Sequence, residues 1–262
     1  MERSAISNRV HVPDVTLCAI TSVNVPATIA ALEASMAAMD FAECLLFTDV
    51  KVRPKNRSIQ VIPILNLPSA QAYSRFILRQ LADFIQTSHC LVVQWDGHVA
   101  NPARWDPAFL EFDYIGASWP QFRDGHDVGN GGFSLRSRDL LSALQKKQFR
   151  PAHPEDVLIG RTYRGRLEAL GLRFAPREVA DRFSAERAGK PATSFGYHGV
   201  WLMPEVLGVE RFWEIYRSLD DRNTIRHDLA PLLSLVRQGS KGRSRAVSMV
   251  IDRLVDVVTK GT

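Results

Sequence analysis

Short apolar runs alternate with helical patterns over the first hundred residues. Apolar or alternating runs of strand length predict four buried strands, at 15–22, 44–49, 58–65 and 89–97. The Ala-rich segment 24–39, with Pro26 near its start, predicts a helix. Segment 69–86 carries apolar residues at helical spacing, and Ser69 is a suitable N-cap for it. Strands that alternate with helices are typical of an α/β sandwich with a mainly parallel sheet.

The pattern changes after the fourth strand, where shorter strands and longer loops follow. Further apolar runs predict strands at 112–118 and 131–137, and a helix at 138–147. Near the end, the Gly/Ser/basic stretch 238–245 predicts a flexible linker, and 246–258 predicts an amphipathic helix. We therefore expect one domain over 13–237, followed by a basic linker and C-terminal helix over 238–262.

Composition supports a globular chain without choosing its partner. The 262 residues are 45% hydrophobic and 23% charged, which is enough apolar content for a sizeable core. A net charge of +5 is compatible with nucleic acid, an anionic membrane or a phosphorylated substrate. Cys18, Cys44 and Cys90 lie in apolar runs without a CxxC pair, so we expect buried free thiols in a reducing compartment. The sequence contains no signal-like N-terminus and no membrane-length apolar run, which favours a cytoplasmic location.

The strongest local signal is the run Val92–His98, in which an apolar strand is followed by Asp96 and Gly97. Ligands of open α/β sheets bind at the carboxyl ends of the strands. A carboxylate there can hold a divalent ion, which in turn neutralises phosphates. The alternative is that Asp96 caps a turn, as Asp-Gly pairs often do.

The second signal is the loop 129–132, Gly-Asn-Gly-Gly, which precedes the predicted strand 131–137. Glycine and asparagine permit positive φ and let a backbone approach a ligand closely. A tight hairpin entrance uses the same residues. The spacing and the strand that follows exclude a dinucleotide fingerprint and a P-loop.

Two further signals are an acid pair and a late histidine. Glu155 and Asp156 open a helical stretch, where acids favour the helix dipole; one of them can instead serve as a general base. His198 lies between Tyr197 and Gly199, a plausible setting for a metal ligand. A single histidine is nevertheless more often structural or exposed.

In this order the four motifs resemble Leloir glycosyltransferases of the GT-A fold. From about Val15 to about Pro204 the sequence is similar to a bacterial and fungal glycosyltransferase-like family, and GNGGFSLRS resembles the acceptor-side loop of β-1,4-galactosyltransferases. The resemblance implies a GT-A-like, Rossmann-like sheet sandwiched by helices. It also implies transfer of a sugar from a nucleotide-sugar donor, such as a UDP-sugar, to a hydroxyl of a glycan or lipid-linked acceptor, with inversion and without nucleic acid.

The resemblance also implies roles for individual residues. Asp96 and His198 would hold Mn²⁺ or Mg²⁺, although the first acid of the usual Asp-x-Asp motif is replaced by Gln94. Asp156, or Glu155, would be the catalytic base. The residues that it implies for donor binding are Thr21, Ser22, Asp49, Tyr73, Arg75, Gln94 and Trp95. Acceptor binding falls to Trp119, Asn130, Gly131 and Gly132. For Arg75 a solvated helix face is an equally good interpretation, and Phe133, another candidate for stacking on a sugar, is more readily explained as core.

Other functions remain open at this stage. A sugar nucleotidyltransferase shares the layout but usually has a Gly-rich loop after the first strand, where this chain has TSVNVPAT. A non-catalytic nucleotide- or carbohydrate-binding module is favoured by Gln94. The C-terminal helix can contact an anionic membrane that carries a lipid-linked acceptor, or pack on the domain or on a second subunit. The oligomeric state is not indicated.

Overall fold

The computed structural model describes residues 9–239 and 241–260. Its strands are β1 Val10–Ile20, β2 Met39–Thr48, β3 Ile59–Pro63, β4 His89–Val93, β5 Gly97–Val99, β6 Tyr114–Ile115, β7 Phe133–Ser137, β8 Ser184–Ala185 and β9 Gly196–His198. Its α-helices are α1 Val25–Ala38, α2 Ala70–Arg79, α3 Arg138–Leu144, α4 Glu155–Val157, α5 Arg164–Glu168, α6 Arg177–Phe183, α7 Met203–Leu207, α8 Val209–Ser218, α9 Leu229–Val236 and α10 Gly242–Lys260.

The main sheet has six strands in the order β3-β2-β1-β4-β7-β6. The pairs β1–β2, β1–β4 and β2–β3 are parallel, and β7 runs antiparallel to both of its neighbours. The prediction of a mainly parallel α/β sheet is therefore confirmed. The helical crossovers required between parallel strands are α1, between β1 and β2, and α2, between β3 and β4.

Both faces of the sheet are buried, and β1 shows why. Leu17 and Ala19 belong to a core that also contains Leu32 of α1. Cys18 and Ile20 point to the opposite face and join a second core with Phe76 of α2. Because side chains alternate along a strand, a continuous apolar run covers both faces, as a strand between two helical layers requires. Cys18, Cys44 and Cys90 are buried and free, as the sequence predicts.

A second, smaller sheet has the order β5-β9-β8. The sequence pattern predicts one strand over 89–97, but the structure divides it: β4 ends at Val93, and a turn leads into β5. The small sheet brings together two distant parts of the chain, because β5 and β9 pair antiparallel with Gly97 opposite His198.

Most element boundaries differ from the prediction by a few residues, as those of β6, α2 and α10 show. The predicted strand 112–118 is only Tyr114–Ile115, and the predicted helix 69–86 ends as an α-helix at Arg79. The helix α10 begins at Gly242, so residues 242–245 of the predicted linker 238–245 are helical. A third core contains residues from each of the helices α7, α8, α9 and α10. Within the described part of the chain, none of the helices has the length and apolarity needed to cross a membrane.

Candidate active site

A cleft of about 470 Å³ opens at the carboxyl ends of β1 and β4. It is bounded by residues 20–23 after β1, by Gln94 and Trp95 after β4, and by the glycine loop 130–132. A larger hollow of about 680 Å³ lies at the opposite edge of the sheet, where β2 and β3 begin. The carboxyl edge is where parallel α/β sheets bind ligands, so the smaller cleft is the candidate site.

His198 lines this cleft, and Asp96, which is buried behind the lining, is brought beside it because β5 pairs with β9. Gly97 lies opposite His198, so the residue before it is carried alongside the imidazole. The distance from Asp96 Oδ1 to His198 Nε2 is 3.4 Å. Asp96 is 5% exposed, and its Oδ1 is buried without a hydrogen-bond partner. A buried carboxylate oxygen in that state needs a positive charge beside it.

Glu186 lies on the other side of His198, with its Oε1 3.3 Å from Nδ1. It directly follows β8, whose Ala185 pairs with Tyr197, so the next residues of both strands come together. Asn130 Nδ2 donates to the second oxygen of Glu186. Burial opposes a charge on His198, but Asp96 and Glu186 outweigh it and raise the pKa of His198 well above its usual range. Sequence reasoning missed Glu186 because only the pairing of a two-residue strand reveals it.

The amide of Gln94, which the resemblance aligns with the first acid of the Asp-x-Asp motif, is oriented by a neighbour. Its Nε2 donates to the hydroxyl of Tyr73 at 3.1 Å, so its Oε1 faces His198 Nε2 at 3.3 Å. An amide oxygen, a carboxylate oxygen and an imidazole nitrogen thus converge; they can hold Mn²⁺ or Mg²⁺ only after the proton on His198 Nε2 has been displaced. Within residues 9–239 and 241–260, there is no group of three or more His, Cys, Asp or Glu side chains that could hold a metal ion. A cation here would complete its shell with waters or phosphate oxygens, as Mg²⁺ commonly does.

The adjacent acids Glu155 and Asp156 have different surroundings. Glu155 is buried, its Oε1 lies 3.2 Å from Nη2 of the fully buried Arg136, and its Oε2 accepts from Ser74 Oγ at 3.1 Å. Asp156 also borders the cleft, and within the described residues its carboxylate accepts only from backbone N–H groups, those of Gly131 at 3.3 Å and Val157 at 2.8 Å. Burial and the charge of Glu155 raise the pKa of Asp156. Of the two candidate bases, Asp156 is the one not committed to an ion pair.

The glycine loop packs against both halves of the site. A Cβ on Gly132 would lie 2.0 Å from His198 Nε2, and one on Gly131 would lie 2.4 Å from Glu155 Oε1. Asn130 adopts a positive φ of 53°, a conformation that asparagine tolerates. These residues line the cleft, but their small size is required first by the packing of the site itself.

The residues predicted to bind the donor fall into two groups. Thr21, Ser22 and Tyr73 line the cleft. Asp49 is exposed beside it, and hydrogen bonds from Ser22 and Asn66 lower the pKa of its carboxyl group. Arg75 is exposed and does not reach the cleft. The physical reason is helical geometry, because side chains two positions apart point about 200° apart around a helix, and Tyr73 takes the inward position.

Trp119 is not part of the cleft, contrary to its predicted role in acceptor binding. It is 7% exposed, and its ring lies where side chains on Gly129 and Gly160 would otherwise be. The ring is therefore core, as is Phe133, which is fully buried. Trp95, also largely buried, does contribute to the cleft wall.

The chain is similar to a number of solved structures, among them two glycosyltransferases. A glycosyltransferase involved in the glycosylation of the major capsid of PBCV-1 has a TM-score of 0.46 and 13% identity, covering 78% of this chain and 98% of that one. The apo-form glycosyltransferase GlyE of Streptococcus pneumoniae TIGR4 has a TM-score of 0.43 and 12% identity, covering 79% of this chain and 60% of that one. Likenesses of this size do not establish a function.

No curated protein matches the sequence. A family described as "Protein of unknown function (DUF5672)" matches residues 56–198. That segment includes Gln94, Asp96, Asp156, Glu186 and His198, whereas Thr21 and Ser22, which also line the cleft, precede it. It is also more than half of the 262 residues. The chain belongs to the DUF5672 family.

Proposed function

We propose that this chain is a glycosyltransferase that moves a sugar from a nucleoside diphosphate to a hydroxyl group of a glycan or glycolipid. The observation that carries the proposal is the contact of the buried Asp96 with His198, which lines the cleft together with Asp156. A cation-binding pair and a carboxylate of raised pKa at the carboxyl edge of a parallel sheet suit a substrate that bears phosphates and reacts with a hydroxyl. A uridine nucleotide is the first donor to test.

A divalent cation, Mn²⁺ or Mg²⁺, would be held by Asp96 and His198, with the amide oxygen of Gln94 as a further donor. When bound, such an ion neutralises the charge that grows on a departing diphosphate. Glu186 accepts from Nδ1 of His198 and so leaves Nε2 directed at Asp96. Carboxylates in this position commonly fix the tautomer of a metal-binding histidine.

Asp156 would be the general base of the reaction. Its carboxylate would take the proton from the acceptor hydroxyl while the acceptor oxygen bonds to the anomeric carbon, and the bond from that carbon to the diphosphate breaks. The raised pKa makes Asp156 a stronger base than an ordinary aspartate. Attack opposite the leaving group gives inversion. The hydroxyls of Thr21 and Ser22, at the end of β1, would contact the nucleoside.

A second candidate function is a non-catalytic module that binds nucleotides or carbohydrates in the same cleft. The observation that favours it is Gln94, which supplies a neutral oxygen where an acid is usual. Binding without turnover distinguishes this module from the transferase. A sugar nucleotidyltransferase has no comparable support, because the chain after β1 lacks the glycines expected of it.

The decisive experiment measures release of nucleoside diphosphate from a panel of nucleotide sugars, with Mn²⁺ and with a chelator in its place. We expect metal-dependent release that falls by about 10²-fold or more in Asp96→Asn and Asp156→Asn. The matched control is Asp124→Asn, since Asp124 is exposed and pairs with Arg161 at 2.7 Å outside the cleft. Full activity of Asp96→Asn would refute the assigned role of Asp96. A thermal shift by nucleotide and Mn²⁺ without turnover of any donor would favour the binding module.

A further inference from the structure

The C-terminal helix α10 has two dissimilar faces, and the charged one is turned toward the domain. Arg245 pairs with Glu210 of α8, and Asp252 accepts from the hydroxyl of Tyr216 at 2.8 Å. Met249 lies on the same side and is 1% exposed in the core shared with α8 and α9. The helix is thus attached to the domain through two polar contacts and through Ala246 and Met249, which are buried in the shared core.

The opposite face of α10 is apolar and exposed. Its members recur at spacings of three and four residues, which places them along one side of a helix. They are Val247, Val250, Ile251, Leu254, Val255 and Val258. Leu254 is 60% and Val258 83% exposed. An exposed stripe of this kind normally marks a surface that is covered by another molecule.

The end of this face that lies near the start of the helix is flanked by basic side chains. A hollow of about 510 Å³ is formed there between Arg237, Arg243 and the apolar residues Ala246, Val247, Val250 and Ile251. Lys241 is also exposed nearby. An apolar hollow beside two guanidinium groups is complementary to an anionic headgroup with an attached acyl chain.

Charge decides between a lipid surface and a second copy of the chain. From residue 229 to 260 the sequence has six basic residues against two acids, which gives +4 of the net +5. Both acids, Asp252 and Asp256, lie off the apolar stripe. A two-fold contact through this face would bring two strongly positive segments together, whereas an anionic bilayer would attract them.

We propose that the outward face of α10 docks on an anionic phospholipid membrane, lying along its surface with the apolar stripe at the acyl boundary. The helix lies on the bilayer and does not cross it, in agreement with the lack of any spanning helix among the described residues. This inference does not depend on the proposed reaction, because neither the cleft nor its residues enter the argument.

The test is co-sedimentation of the full chain with vesicles of phosphatidylcholine alone, and of phosphatidylcholine and phosphatidylserine in equal parts. We expect binding to the anionic vesicles only. Leu254→Asp should weaken it by about tenfold or more, because it removes apolar contact and adds a repelled charge. The matched control is Leu170→Asp, which replaces another exposed leucine, 49% exposed, far from α10 in the sequence.

A second variant separates the charge from the apolar contribution. Replacing Arg237 and Arg243 together by Gln should weaken binding to anionic vesicles by about tenfold or more, and added salt should abolish that difference. Far-ultraviolet circular dichroism establishes that each variant is folded. Equal binding to both vesicle types, or binding that survives Leu254→Asp, overturns the proposal. So does a dimer in sedimentation velocity that Leu254→Asp dissociates, with no vesicle binding.

Discussion

Two adjacent acids, Glu155 and Asp156, should respond in opposite ways to the removal of their charge. Glu155→Gln and Asp156→Asn are matched changes, since each replaces a carboxylate by an amide of the same shape. The structure gives Glu155 a buried cation as its partner and gives Asp156 only backbone N–H groups. We expect the first change to lower stability and the second to lower activity.

The cost of Glu155→Gln follows from Arg136. The guanidinium is 0% exposed, and Glu155 is the carboxylate it pairs with, at 3.2 Å. Its Nη1 is already buried without a hydrogen-bond partner. Removing one partner of a buried pair leaves the other charge uncompensated and costs about 3–5 kcal/mol. For a chain of this size that loss lowers Tm by roughly 6 to 20 °C.

Asp156→Asn has the opposite expectation for stability. Its pKa is raised in the folded protein, so the ionised side chain costs stability at every pH above that raised value. The cost disappears as the pH falls through the folded pKa towards the ordinary value of about 4. The asparagine variant should therefore melt at or above the wild-type temperature at neutral pH, and the two should converge in acid. If the proposed reaction holds, activity falls by about 10²- to 10⁴-fold.

Thermal melts of the wild type and both variants, at neutral pH and near pH 4, provide the test, together with nucleoside diphosphate release. An unchanged Tm in Glu155→Gln would refute the claim that Arg136 depends on that carboxylate. A loss of stability in Asp156→Asn equal to that in Glu155→Gln would refute the distinction between the two acids.

Three further predictions concern one residue that lines the cleft, Gly132, and two that lie outside it, Trp119 and Arg75. Gly132→Ala should displace the imidazole of His198, since the new Cβ would lie 2.0 Å from Nε2; isothermal titration should show weaker Mn²⁺ binding, and unchanged affinity would contradict the geometry. Trp119→Ala should lower stability by about 3–5 kcal/mol in denaturant melts, because it empties a core position, while leaving the KM for acceptor unchanged in the variant that remains folded. Arg75→Ala should alter neither KM for the donor nor Tm by a measurable amount, because the side chain is exposed outside the cleft.

The sheet could be predicted from the sequence because strand burial leaves a local signature. Every residue of β4 is buried, as in a central strand between two helical layers. The acid that soon follows such a strand must lie near the carboxyl edge of the sheet. The helical phase of α2 was also readable: Phe76 and Ile77 mark its inward side, so Tyr73 and Arg75 could not both face the cleft. The exposure of Arg75 agrees with the alternative interpretation, a solvated helix face.

The convergence of the site could not be read from local patterns. Asp96 and His198 are joined through β5 and β9, strands of three residues each, which are too short to show alternation. Glu186 depends on β8, a strand of two residues. Trp119 is buried because Gly129 and Gly160 leave space for its ring, a relation between three separated segments. Contacts between segments that are far apart in the chain therefore decide the positions of Asp96 and His198, of Glu186 and of Trp119.

Glu186 also changes how the substitution at Gln94 should be interpreted. A divalent cation in this site needs nearby negative charge to offset the desolvation of the ion, and the usual motif supplies two acids on one strand end. Here the second carboxylate reaches the site from a different strand, through Nδ1 of His198 at 3.3 Å, while Gln94 Oε1 faces Nε2 at the same distance. With Asp96 it supplies two negative charges around one imidazole. For the proposed cation site, Glu186 would therefore supply the charge that the resemblance expects at position 94.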